Sequence, residues 1–439
     1  MYNFRLKCIL HSALFIACTL PSAEAQIYLD HFGTGHEIGV KVTTSSAKIN
    51  DEGQHTLSGT GFFPDLAGAS RLLGQASIGA TYEEIDYVTQ IGVEKWIDEQ
   101  INMNFQSYTE KFAALAENIT DLIREDYPDY QFTESTLHNS FVFYESLLKD
   151  PEVLRNKVAF SLLQLFVISK FDTSTRESSA LVSYHDVLYS GAFGNYRDLL
   201  MNVTLHPMMG LMLGSFGNKK ANPTNGTLPD ENYAREIMQL FTIGLFELNI
   251  DGSYRLDSQG NKIPTYDIAD VQELAKVFTG LGFSSTGDVL TTPMIMRENE
   301  HDTGEKVLLD GTVLPAGQPG MKDIEDAVDV LFNHPNVGPF VSRRLIQHLV
   351  KSNPTAAYIR RIATVFNDNG EGIRGDMGAV TKAILIDPEA RDCSWLNDER
   401  NGKLKQPIER FIGLWKGFNV TSPSGRLWLF DEFLSLIHI

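Results

Sequence analysis

Apolar residues recur at intervals of three and four along most of the chain after residue 65, the spacing of helices that bury one face. In the first such stretch Ile85, Val88, Val93, Trp96, Ile97 and Ile101 keep one stripe through two short helices that break near Gly92. Thr81 and Glu84 form a capping box at its start. The same spacing predicts helices over about 107–124, 135–148, 151–169, 178–191, 194–204, 229–246, 267–280, 322–333, 338–350, 354–367, 376–387 and 404–417. Asp376 and Ser342 stand where helices are expected to begin, and Pro151 suits a first turn.

Two stretches depart from this period. Residues 249–266 (NIDGSYRLDSQGNKIPTY) hold Asp-Gly and Gln-Gly-Asn turns between short alternating segments, which predicts a hairpin. The Asp and Asn content there resembles a calcium loop, but the bidentate Glu at its end is missing and a plain turn is the better reading. Residues 290–316 read as short strands around Asp310-Gly311. The fold class expected is therefore mainly α: a single large multi-helical domain, residues 65–433, with a small β-hairpin insertion. Residues 26–64, rich in Gly, Ser and Thr with β-like pieces such as 38–43, read as an extended arm in front of it.

Residues 1–25 have the layout of a secretory signal: Arg5 and Lys7, then the apolar run ILHSALFIACTL from Ile9 to Leu20, then Ala23-Glu24-Ala25 as the cleavage site. That run is shorter than the ~20 residues a membrane-spanning helix needs, so no membrane-spanning segment is expected in the mature chain. Export to the periplasm, cell surface or exterior is the expectation. Cys8 and Cys18 would leave with the signal, so only Cys393 remains, and neither an intrachain disulfide nor a cysteine-ligated zinc or iron–sulfur cluster is expected. Residues 434–439 (LSLIHI) read like the translation of a sequencing-library adapter, so the natural chain is expected to diverge near Phe433, and His438 is left out of the site.

The 439 residues carry 37 Lys+Arg against 56 Asp+Glu, a net charge of −19. Such a surface repels phosphate backbones, so nucleic acid is not an expected partner.

Several ordered blocks carry a resemblance. They are Ala69-Ser-Arg-Leu-Leu-Gly-Gln-Ala-Ser77, Trp96-Ile-Asp-Glu-Gln100, Ala192-Phe-Gly-Asn-Tyr-Arg-Asp-Leu-Leu200 and His206-Pro-Met-Met. Asp230-Glu-Asn-Tyr-Ala-Arg-Glu-Ile-Met-Gln-Leu-Phe-Thr-Ile-Gly244, Phe278-Thr-Gly280, His301-Asp-Thr-Gly-Glu-Lys306 and Asp387-Pro-Glu-Ala-Arg391 complete the set. Together, over about residues 65–418, they resemble the bacterial family of unknown function DUF1800. The resemblance implies an exported, mainly helical protein, often encoded beside a second exported protein similar to sulfatases, and implies no established reaction or cofactor. Two departures stand out: the Trp/His-rich block of many members has no histidine in the matching helix, Phe160–Phe166, and a truncated chain is expected to lack the family's portion beyond residue 418.

Candidate chemistry centres on the helix from Asp230. At 100° per residue Glu231, Asn232, Arg235, Glu236, Gln239 and Thr242 share one arc, with Tyr233, Ile237, Leu240, Phe241 and Leu245 on the other side. One reading makes this a polar wall in which Arg235 positions an anion and Glu231 or Glu236 acts as acid or base. The other makes it a polar face locked by a Glu231–Arg235 pair. His206 before Pro207 is a candidate base or ligand, or a residue capping a helix. His301 and Asp302 are candidate metal ligands, with Lys306 adding charge, or a tight turn. No H-E-x-x-H, G-x-S-x-G, P-loop or dinucleotide fingerprint is present. Two functions remain: an exported protein that binds or organises a partner, or a hydrolase of an extracellular polymer or ester using Glu231, Arg235, Glu236, His206 and the His301/Asp302 pair.

Overall fold

Local signals set most helix ends as expected. Asp65 opens α1 (Leu66–Ala76) by accepting from the Gly68 amide at 2.7 Å, and Ala69, Leu72, Leu73 and Ala76 bury its apolar stripe. Thr81 and Glu84 close both arms of the capping box on α2 (Tyr82–Ile91), at 2.7 and 3.2 Å. Gly92, at φ 88°, ends α2 and starts α3 (Val93–Asn102), a turn that a side chain would strain. Asp376 caps α15 (Met377–Ile386) through the Ala379 amide at 2.9 Å. Two expected starts shift. Pro151 lies just before α6 (Val153–Leu165), and Ser342 sits fully buried inside α13 (Val337–Leu349), which begins after Asn336.

The computed structural model describes residues 48–49, 62–133, 136–168, 178–392 and 401–421. All of these belong to one compact unit that begins at Ala47. The signal (1–25), most of the arm, Cys393 and residues 434–439 lie outside the described residues. The remaining helices are α4 (Tyr108–Arg124), α5 (Thr136–Lys149), α7 (Ser178–Ser190), α8 (Tyr196–Leu205), α9 (Pro207–Leu213), α10 (Asn232–Glu236), α11 (Ile268–Val277), α12 (Gly320–Asn333), α14 (Ala356–Asn367), α16 (Pro388–Arg391) and α17 (Pro407–Gly417). The fold is mainly α. Among the described residues no helix is long and apolar enough to cross a membrane.

Three antiparallel strand pairs complete the set: β1 (Lys48–Ile49) with β2 (Phe62–Phe63), β3 (Leu281–Gly282) with β4 (Ile295–Met296), and β5 (Lys306–Val307) with β6 (Val313–Leu314). The last pair turns at Asp310-Gly311, as the sequence implied. The expected hairpin at 249–266 is a three-way version. The Arg255 amide donates to Glu247 O at 2.8 Å, Ile263 to Arg255 O at 3.2 Å and Glu247 to Ile263 O at 2.8 Å, closing a ring. Asp251 and Asp257 spend their carboxylates on the amides of Ser253, Gln259 and Asn261, the work of turns.

Helix α6 runs through the middle and is buried all round, Arg155, Asn156 and Lys157 included. Buried tyrosines tie the ends of its neighbours. Tyr184 donates to Phe166 O at the end of α6, Tyr196 to Phe241 O and Tyr358 to Ile384 O, each at 2.6 Å. Each hydroxyl fills a carbonyl that a helix terminus or an irregular turn leaves open.

Candidate functional site

The helix expected over 229–246 is two pieces. Short α10 runs into a π-helical turn, Ile237–Thr242, where the Ile243 amide reaches back five residues to Met238 O at 2.9 Å. The wider turn shifts every later residue around the axis. Thr242, expected on the polar arc, is fully buried and donates to Ile237 O at 2.6 Å. Leu240 and Leu245, expected inside, are 38% and 50% exposed. Tyr196 filling Phe241 O, together with the Thr242 hydroxyl, supplies hydrogen bonds that a regular α-helix would have made within itself.

Upstream of the slip the arc holds. Arg235 donates to Glu231 at 3.0 Å, one turn away, both partly exposed. Asp230 accepts from the Asn232 amide at 2.8 Å. Glu236 differs: its Oε2 is buried and has no hydrogen-bond partner. Tyr266, which the sequence did not single out, stands beside this group, reaching Gln239 at 3.4 Å. Burial raises its hydroxyl above the ordinary value, with Arg235 opposing and Glu236 adding to the shift.

His206 is both the C-cap of α8 and the N-cap of α9. Its Nδ1 accepts from the Met208 amide at 3.2 Å, so the proton of the neutral ring sits on Nε2 and faces the Ser183 hydroxyl at 3.0 Å. Ser183 in turn donates to Ala180 O at 3.1 Å. The polarity of that chain runs from His206 to Ser183, the reverse of what a base activating a serine needs. Burial, with His185 adding to it, pushes His206 down to about 4.

His301 is fully buried. Its Nδ1 faces Thr279 O at 2.8 Å and its Nε2 faces Asp323 at 3.1 Å. Lys306, also buried, donates to the same Asp323 oxygen at 2.7 Å and to Gly304 O at 3.0 Å, and Gln318 fills the other oxygen at 2.8 Å. Burial opposes ionisation of Asp323, but His301 and Lys306 outweigh it and hold the carboxyl below its ordinary value. Asp302 points elsewhere, accepting from the Gly304 amide at 2.8 Å in a tight turn. His301 thus pairs with a carboxylate 22 residues along the chain rather than with its neighbour. Among the described residues no group of three or more His, Cys, Asp and Glu side chains is arranged to hold a metal. Glu231 bonds to Arg235, His206 to Ser183 and His301 to Asp323, so among the described residues the three candidates sit in separate networks.

A second charged cluster was not legible in the sequence. Lys157 on α6 and Glu409 on α17 form a buried ion pair across the core, and Lys403 adds to Glu409 at 2.9 Å and to His348 O at 2.6 Å. Burial draws Lys157 down to about 8 against the pull of Glu409. Burial likewise opposes ionisation of Glu409, yet Lys157 and Lys403 bring its carboxyl down to about 2. The pair is therefore ionised at neutral pH. Beside it opens a cavity of about 310 Å³, lined by Arg71, Gln75, Leu349, Val350, Lys403 and Lys405 among others. The sequence signals were the Lys403-x-Lys405 spacing and the polar run Arg155-Asn156-Lys157 inside an apolar helix.

Comparison with known proteins adds one match: a family model described as protein of unknown function (DUF1800) fits residues 71–434. No curated protein and no solved structure matches.

Proposed function

The chain belongs to the DUF1800 family of proteins of unknown function, and on that premise we propose that it is an exported protein that binds and organises a partner at the cell envelope or outside the cell. One observation carries the reading. Glu231 and Arg235 present a matched charge pair at the surface, whereas His206 and His301 commit both ring nitrogens to groups inside the fold. A charged surface pair with both candidate histidines committed elsewhere suits recognition better than turnover. The partner proposed is the co-encoded exported protein similar to sulfatases.

The test uses both purified full-length proteins and isothermal titration calorimetry. Exchanging the charges, Glu231→Arg with Arg235→Glu, keeps the pair within the helix but inverts its pattern towards a partner. Association that the exchange weakens supports the reading; no association between the unaltered proteins overturns it. Glu236 favours a second reading, a hydrolase of an extracellular polymer or ester. Its carboxylate oxygen is buried without a partner near Tyr266 and Arg235, the setting of an acid or base. Turnover of a chromogenic ester panel that Glu236→Gln abolishes would favour this reading over the first.

A further inference from the structure

We propose that the cavity between α1, the C-terminal end of α13 and loop 401–405 binds an oxyanion ester, a phosphate or sulfate group carried on a small organic body. The chain has a net charge of −19, yet Arg71, Lys403 and Lys405 converge on this one space. The carboxylate behind it is already in use. Glu409 is held by Lys157 and Lys403, so among the described residues one carboxylate serves these two lysines and Lys405. Lys405 has no ion-pair partner among the described residues, and burial, with Lys403 adding to it and Glu409 opposing, lowers its ammonium below the ordinary value. Positive charge left over in a partly desolvated place is costly unless an anion arrives to match it.

The other walls fit the same guest. The Arg71 guanidinium is anchored on the rim by the carbonyls of Arg391 at 3.4 Å and Asp392 at 3.3 Å, which fixes a planar donor fork of the kind that suits an oxyanion. Gln75 lines the same space, and its carboxamide carries two N–H donors. Leu349 and Val350 supply apolar wall. About 310 Å³ is far more than a bare ion fills and lies at the lower end of small-molecule sites, which is why an ester rather than the free ion is the ligand proposed.

The test is calorimetric titration of the full chain with glucose 6-phosphate, glucose 6-sulfate, inorganic phosphate and inorganic sulfate, with chloride at matched ionic strength as control. Saturable binding of an ester at roughly millimolar concentration or below, tighter than the bare ion, is expected. Lys405→Ala should weaken it about tenfold or more, while Lys405→Arg should retain it, since each charge-assisted hydrogen bond is worth about that much. The Lys405 ammonium has no ion-pair partner among the described residues, so its alanine variant is expected to fold; an unchanged unfolding midpoint checks this. Bare ions binding as well as the esters would overturn the ester assignment. No saturable binding by the unaltered protein, a chloride response as large, or unchanged affinity in Lys405→Ala would overturn the site itself.

Discussion

Removing Glu409 should cost more stability than removing Lys157, although the two are partners. Glu409→Gln strands two cations: Lys157, which is 1% exposed, and Lys403, which is 14% exposed. Lys157→Met leaves Glu409 still matched by Lys403 at 2.9 Å. Breaking a buried pair from one side costs about 3–5 kcal/mol, because the other charge stays buried alone. Proton linkage gives a similar figure for Glu409 by a separate route. A drop from 4.5 to about 2 corresponds to roughly 3 kcal/mol of stability, present above pH 4.5 and lost as pH falls through the folded value. Lys157→Met should cost about half as much, since burial already penalises that ammonium and methionine fills its space. Urea unfolding at pH 7 measures both, and the loss for Glu409→Gln is about a fifth or more of the ~5–15 kcal/mol a typical protein has. The double variant Lys157→Met/Glu409→Gln should cost less than the sum of the two singles, a coupling of about 1 kcal/mol or more. A Lys157→Met variant less stable than Glu409→Gln, or strictly additive singles, would refute the assignment of Glu409 as the shared counter-charge.

Other outcomes follow from the same geometry. Asp323→Asn leaves His301 and Lys306 buried without their carboxylate, and chemical denaturation at pH 7 should show a loss of about 3 kcal/mol or more. His206→Ala should cost about 1–2 kcal/mol as a lost cap, and His206→Asn, whose side-chain oxygen can accept from Met208, less than half of that. His206 titrates at about 4 folded and 6.5 unfolded, so the unfolded chain takes up its proton first. Stability should therefore fall from pH 6.5 towards 4, by up to roughly 3 kcal/mol from this group, and urea midpoints at pH 7 and 5 should show a smaller fall in His206→Asn. Thr242→Val removes the hydroxyl on Ile237 O and should cost about 1–3 kcal/mol in thermal or urea unfolding, more than Thr→Val at an exposed helical site.

What the sequence disclosed and what it withheld divide by range. The Thr81–Glu84 box, the break at Gly92, the cap at Asp376 and the boundary at His206 are decided by residues within four positions of one another, so their chemistry is written in order along the chain. The apolar stripes are equally local, and the helices they predicted are there. The π turn is different. A regular period continues straight through 229–246, and the residue that takes Phe241 O, Tyr196, lies 45 positions away. Periodicity could assign Glu231 and Arg235 to one face but could not see the slip that buries Thr242.

The same distinction explains the histidines. Adjacent His301 and Asp302 suggested one ligand pair, yet a tight turn needs the Asp carboxylate for the next amide but one, which turns it away from the ring. The ring then finds Asp323 on another helix. Lys157 and Glu409 are 252 residues apart and each sits among ordinary helical neighbours. No spacing rule joins them. Their meeting depends on a helix apolar enough to be buried all round while still carrying a lysine, and a lysine there needs a carboxylate brought by the fold. That demand could have been read from the sequence as a question: three consecutive polar residues, Arg155, Asn156 and Lys157, interrupt an otherwise largely apolar helix. Its answer, Glu409 with the surplus lysines around it, is what leaves the neighbouring cavity positive on an acidic protein.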